Sequence, residues 1–145
     1  MTRAVAALAL GTVLGATSPA APARSYVEPR TSASERPFSD AVRIGDTLYL
    51  SGKIGLDAER KVPADAAGEA RNVLNDVQRT LVAAGMSMDD LVSVQVFCSD
   101  VEHYAAFNEV YRTYFKKELP ARAFIGSGKL LFGARFEVQA VAVRR

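Results

Sequence analysis

Apolar positions along the chain change spacing several times, and each spacing predicts an element. Ala70, Val73, Leu74, Val77 and Leu81 recur at helical intervals, so residues 65–84 are expected to form an amphipathic helix that stops at Gly85. Tyr104, Phe107, Val110, Tyr111 and Tyr114 make a second stripe, which predicts a helix over residues 101–115, ended by Lys116-Lys117-Glu118 and Pro120. Between them Val92, Val94, Val96 and Cys98 alternate with Ser93, Gln95 and Phe97, the period of a strand, and Ser87 with Asp90 three positions on reads as a capping pair before it. Upstream, Ala41-Val42-Arg43-Ile44 and Thr47-Leu48-Tyr49-Leu50 flank Gly45-Asp46, which predicts a hairpin because glycine accepts positive φ. Residues 51–56 read as a third short strand whose Gly52 and Gly55 let the backbone approach something closely. Residues 122–125 and 135–143 are two final strands separated by Gly126-Ser127-Gly128. The order is ββ(β)αβαββ, an α+β layer of two helices against one sheet.

Two helices cover only one face of such a sheet. The last strand nevertheless carries Phe136, Val138, Ala140 and Ala142 on one side and Val141 and Val143 on the other, so both faces are apolar. A second apolar face must be buried against another chain, and a homo-oligomer is expected.

The N-terminus follows a different pattern. Arg3, an uncharged run over residues 4–16 and a small-residue stretch ending in Ala21-Pro22-Ala23 read as a secretory signal over residues 1–23. An apolar run of that length reaches only about 20 Å as a helix, too short for a hydrocarbon core of about 30 Å. The processed protein is therefore expected to be periplasmic or secreted, with no membrane segment after cleavage. Residues 24–36 mix proline, serine, threonine and charge and read as a flexible leader contributing nothing to the core, with one short edge strand at Tyr26-Val27. The remaining domain spans residues 37–145.

Composition narrows the chemistry. The chain has 145 residues and a formal charge of +2; residues 1–23 hold one basic and no acidic group, so the processed chain carries +1. Its charges are dispersed, and no basic stripe suits nucleic acid. A lone Cys98 excludes an internal disulfide, and a lone His103 leaves too few soft ligands for structural zinc. Cys98 is in phase with strand valines and reads as a buried small hydrophobe, and His103 reads as a surface residue, so neither a thiolate pair nor a Ser-His-Asp arrangement is supplied. Gly126-Ser127-Gly128-Lys129 fails as a phosphate loop, because Ala123 and Leu130 stand where glycine and a hydroxyl residue are needed. The chemistry must rest on carboxylates or arginine. Arg122 starts an otherwise apolar strand and Glu137 lies between Phe136 and Val138. Each either points outward in its strand's alternation or is held for a purpose, since a buried charge is expensive unless paired.

An ordered set of segments carries a resemblance: Phe38-Ser39-Asp40-Ala41-Val42, Leu50-Ser51-Gly52-Lys53-Ile54, Phe107-Asn108-Glu109-Val110-Tyr111, Pro120-Ala121-Arg122 and Phe136-Glu137-Val138-Gln139-Ala140. Over residues 25–145 the chain resembles the Rid (YjgF) family of reactive-intermediate deaminases. The resemblance implies a chorismate-mutase-like fold, a mixed sheet with two helices on one face, and a homotrimer whose sheets form a central barrel with active sites between subunits. It implies hydrolysis of an imine or enamine acid such as 2-aminoacrylate to a keto acid and ammonia, without metal or cofactor. Arg122 stands where the family holds the substrate carboxylate, and its planar fork suits that group bidentately. Glu137 stands where the family positions, or exchanges protons with, the attacking water, and the Gly52 backbone, Asn108, Phe38 and Phe124 fall at further pocket positions.

Four residues depart from the family pattern: Phe38 replaces an aromatic hydroxyl, Lys53 a frequent glutamine, Gly55 a proline, and Phe124 a small or thiol residue. These departures keep a rival open, a non-catalytic relative that binds a small ligand or protects proteins. A third reading attached to the family, an endoribonuclease, is opposed by the charge of +1 and the missing basic stripe.

Overall fold

The computed structural model describes residues 21–29 and 36–145. The signal expected over residues 1–23 lies almost wholly outside the described residues, and so does the middle of the leader. Among the described residues, no helix is long and apolar enough to cross a membrane.

The strands are β1 (Arg24–Val27), β2 (Ala41–Ile44), β3 (Thr47–Ile54), β4 (Leu91–Cys98), β5 (Ala121–Gly126) and β6 (Phe136–Val143), with helices α1 (Ala66–Ala83) and α2 (Tyr104–Arg112). They form one mixed sheet in the order β1-β2-β3-β6-β4-β5, in which only β4 and β5 run parallel. A parallel pair needs a long crossover, and α2 supplies it, which lays α2 on the edge strand β5. The hairpin turns at Gly45-Asp46 with Gly45 at φ +57°.

Asp65 caps α1 by accepting from the Gly68 amide at 2.7 Å, and Gly85, at φ +67°, follows the helix end. The last carbonyls of α1 would otherwise be orphaned. Arg43 of β2 and Arg144 beyond β6 both donate to the Ala84 carbonyl there. Ser87 and Asp90 form the expected capping box around a 3-10 turn at Met88–Asp90.

Three details differ from the sequence reading. Residues 51–54 are not a separate strand: β3 runs unbroken from Thr47 to Ile54, and a bulge between Leu50 and Lys53 absorbs the irregularity introduced by Gly52. The expected second helix divides into a 3-10 turn at Val101–His103 and α2 proper, because Asp100 caps the 3-10 turn through the Glu102 amide. The leader does reach the core: β1 pairs with β2, and Val27 packs against the buried cluster.

Leu48, Leu50, Val94, Val96, Phe136 and Val138 of the sheet meet Val73, Leu74, Val77, Leu81 and Phe107 of the helices, all buried. Each such side chain contributes roughly 1.5–3 kcal/mol by leaving water. A charged group is also sealed in this layer. Glu69, within the apolar stripe of α1, accepts from the Arg135 and Phe136 amides at 2.6 and 2.9 Å and from Arg135 Nη1 at 2.9 Å, fixing where β6 begins. Gly55 permits this approach, since a Cβ there would lie 2.3 Å from the Glu69 carbonyl oxygen.

Candidate active site

The β3 bulge builds the first half of the site. At the bulge Gly52 passes directly beneath Glu137, whose Oε1 would lie 2.0 Å from a Cβ on residue 52. This is the close approach that the glycine predicted. Glu137 faces a cavity of ≈ 1090 Å³ whose walls include Phe38, Gly52, Lys53 and Phe132. Its carboxylate has no hydrogen-bond or ion-pair partner among the described residues.

The segment carrying Phe38 is tied to the bulge by an ionic network. Asp40, 3% exposed, bonds Lys53 Nζ, itself 4% exposed, and accepts from Arg36 at 2.8 and 2.9 Å. Ser51 Oγ donates to the Ser39 carbonyl at 2.6 Å, and the Ser51 amide donates to the Asp40 carbonyl at 3.0 Å. The Arg36 guanidinium sits 5.5 Å from the centre of the Phe38 ring. Burial works to raise the Asp40 pKa, but the hydrogen bonds and charges of Arg36 and Lys53 outweigh it and hold the carboxyl well below the usual carboxylate range.

The second half lies under α2. Arg122 stands opposite Val94 on the helix-covered face, and its Nη2 donates to Asn108 Oδ1 at 2.7 Å. Four rings surround the guanidinium, with centres at 4.5 Å for Tyr111, 5.7 Å for Phe124 and 5.9 Å for Tyr104 and Phe107. The positive charge is held by ring faces and an amide, and no carboxylate pairs with it among the described residues. Arg122 Nη1 and the Tyr111 hydroxyl are both buried without a hydrogen-bond partner. Burial pushes the Tyr111 phenol up to about 12, with the Arg122 charge acting in the opposite direction.

The fold thus gathers Phe38, Gly52 and Glu137 in one place and Asn108, Arg122 and Phe124 in another. Arg122 is in register with Val94 and Ala140, three residues along β6 from Glu137 and two strands across. That is roughly 10 Å along the strands and about 10 Å across them, with the two side chains on opposite faces. Among the described residues no group of three His, Cys, Asp or Glu is placed to hold a metal ion.

Sequence reasoning overlooked the Arg36–Asp40–Lys53 network and the rings of Tyr104 and Tyr111 around Arg122. The signal for the network was present: Lys53 is a lone charge inside a strand, the same feature that drew attention to Arg122 and Glu137. Cys98 is buried as expected, and its thiol donates to the Asp100 carbonyl at 2.9 Å.

Among the described residues the two-layer α+β fold thus holds a guanidinium boxed by rings and a carboxylate that faces a cavity, neither with an ionic partner. The chain belongs to the family described as Endoribonuclease L-PSP, whose model matches residues 27–144, and this is the Rid (YjgF) family. The mouse protein named 2-iminobutanoate/2-iminopropanoate deaminase is 37% identical over 110 residues, 74% of this chain and 82% of that protein. The human protein of the same name is 36% identical over 74% of this chain and 80% of its own length. Among solved structures, E. coli TdcF with bound serine superposes with a TM-score of 0.77 at 30% identity, covering 83% of this chain and 99% of that one.

Proposed function

We propose that this protein hydrolyses carboxylate-bearing imines or enamines, of the 2-aminoacrylate type, to keto acids and ammonia. The observation that carries the reading is Arg122, a guanidinium walled by four rings with no carboxylate paired to it among the described residues. An external carboxylate completes it, and the fork geometry of arginine suits that group. The names of the mouse and human relatives, and the amino acid bound to TdcF, support a substrate of this class.

In this reading Arg122 and Asn108 fix the acid end of the substrate, and Glu137 aims water at the imine carbon. The water oxygen bonds to that carbon while one of its protons passes to Glu137 and on to nitrogen, giving a carbinolamine. The remaining hydroxyl proton then passes by way of Glu137 to the amine nitrogen as the C=O bond forms and the C–N bond breaks, and ammonia and the keto acid leave. Gly52 leaves the Glu137 carboxylate room to lie over the backbone. The separation of Arg122 from Glu137 within one chain supports a site completed by a second copy. The sheet face opposite the helices supports a homotrimer, since it presents Tyr49, Val92, Ile125 and Val143 as exposed side chains.

The test is ammonia release from enzymatically generated imines. Arg122→Lys keeps the charge and loses the fork, so turnover is expected to fall about as far as in Arg122→Ala, by 10²-fold or more, with the melting curve retained. Glu137→Gln keeps binding and slows turnover. Full turnover by Arg122→Ala on a carboxylate-bearing imine refutes the clamp and turns the assignment to a non-catalytic binding protein.

A further inference from the structure

The cavity over Glu137 has one wall that the reaction does not explain. Among the described residues only two that are not glycine adopt positive φ: Arg60 at 62° and Phe132 at 59°. A bulky aromatic in this region is a genuine outlier, and such conformations persist only where the surroundings enforce them. The two residues belong to different loops, Arg60 between β3 and α1 and Phe132 in the 3-10 turn Leu131–Gly133 before β6. They nonetheless meet, with the Arg60 guanidinium 5.9 Å from the centre of the Phe132 ring.

Each loop is braced for the purpose. The Asp57 amide donates to the Lys61 carbonyl at 2.8 Å, and the Lys61 amide donates back to Asp57 Oδ1 at 2.7 Å, closing the Arg60 turn. The Ala134 amide donates to the Leu131 carbonyl at 3.1 Å, closing the other. Phe132 gains little from the core in return, since it is 65% exposed, and Leu131 beside it is 67% exposed. Both line the cavity that holds Glu137, and so do Phe38 and Leu56.

We propose that Phe132, held by Arg60 and flanked by Leu131 and Phe38, forms a side-chain pocket that selects imino acids with bulky apolar side chains, of the leucine or phenylalanine type, over those with a methyl or ethyl group. This rests on the deaminase reading and extends it to the substrate's other end. A methyl group leaves the wall in water, whereas a branched or aromatic side chain covers it. One methylene in a hydrophobic pocket discriminates by roughly 10- to 200-fold.

The experiment compares kcat/KM for the imines of leucine and phenylalanine with those of alanine and 2-aminobutanoate, in the wild type and in Phe132→Gly. Glycine accepts the left-handed backbone without strain, so the variant removes the ring while a melting curve reports the fold. The wild type is expected to prefer the bulky imines by about tenfold or more, and Phe132→Gly to bring that ratio close to one. A ratio near one in the wild type, or one untouched by Phe132→Gly, overturns the pocket. So does a Phe132→Gly variant whose only change is a lower assembly mass by light scattering, because Phe132 is then an interface residue. Should the wild type hydrolyse no imine at all, the deaminase reading fails separately. Calorimetric binding of 4-methyl-2-oxopentanoate against pyruvate then decides the pocket: preference for the larger keto acid that is lost in Phe132→Gly upholds it, and equal or undetectable binding overturns it.

Discussion

Asp40→Asn is the substitution whose consequence the structure specifies most fully. Asp40 takes hydrogen bonds from Arg36 and from Lys53, and Lys53 is 4% exposed, so the amide variant leaves a buried ammonium facing a neutral group. Removing one partner of a buried pair costs about 3–5 kcal/mol, because the remaining charge keeps its desolvation penalty and loses its compensation. A domain of this size is stable by roughly 5–15 kcal/mol, so the variant should still fold. At about 4 °C per kcal/mol its melting temperature should drop by roughly 12–20 °C.

Adding Lys53→Gln removes the stranded charge. The double variant is expected to recover about 2 kcal/mol or more, a coupling of the size seen between contacting groups. Acid gives an independent reading. The folded Asp40 pKa lies below its unfolded value, so its contribution is fully present above about pH 4 and is lost as the pH falls through the folded value. Urea midpoints of the wild type should therefore fall more steeply below pH 4 than those of Asp40→Asn. A single-variant cost under about 1 kcal/mol, a double no better than the single, or identical acid slopes would each refute the reasoning.

Two further outcomes follow from close contacts. Gly52→Ala places a methyl group against Glu137 Oε1, so the carboxylate must move; turnover should fall at least about tenfold with a stability cost of about 1–3 kcal/mol, and unaltered kinetics would contradict the assigned geometry. Glu69→Gln turns an amide hydrogen toward one of three converging donors; the urea midpoint should fall by the equivalent of about 1–3 kcal/mol with an unchanged m-value, and an unchanged midpoint would show that the sealed carboxylate is not fixing β6.

Much of the layer architecture was legible because it rests on periodicity. The stripe from Ala70 to Leu81 and the alternation from Val94 to Cys98 are local signals that tertiary packing reinforced, whereas Val92, expected in phase with them, is exposed at a register shift between Leu91 and Ser93. The errors fell where one residue answers to two demands. Gly52 reads rightly as a place of close approach but in a separate short strand, whereas it sits at a bulge inside β3 that makes room for Glu137 more than eighty residues later. The partner of Lys53 was not legible, because nothing local says that the bulge turns it back to meet Asp40. The positive φ of Arg60 and Phe132 could not be read from residue type, since neither residue favours it.

The division of the site between two sheet faces leads to a test of assembly that no single-chain mechanism passes. If Arg122 of one copy serves the same substrate as Glu137 of its neighbour, an Arg122→Ala chain still offers an intact Glu137, and a Glu137→Gln chain still offers an intact Arg122. Neither variant alone builds a complete site. When the two are unfolded, mixed in equal amounts and refolded together, closed rings assemble at random, and a site is whole only when each of its two contributors comes from the appropriate variant. Each condition holds half the time, so roughly a quarter of sites, and about a quarter of wild-type turnover, should return. The two variants refolded separately and then combined without exchange should show no such gain. Were both residues drawn from one chain, every site in the mixture would still carry one lesion, and the mixture would recover nothing.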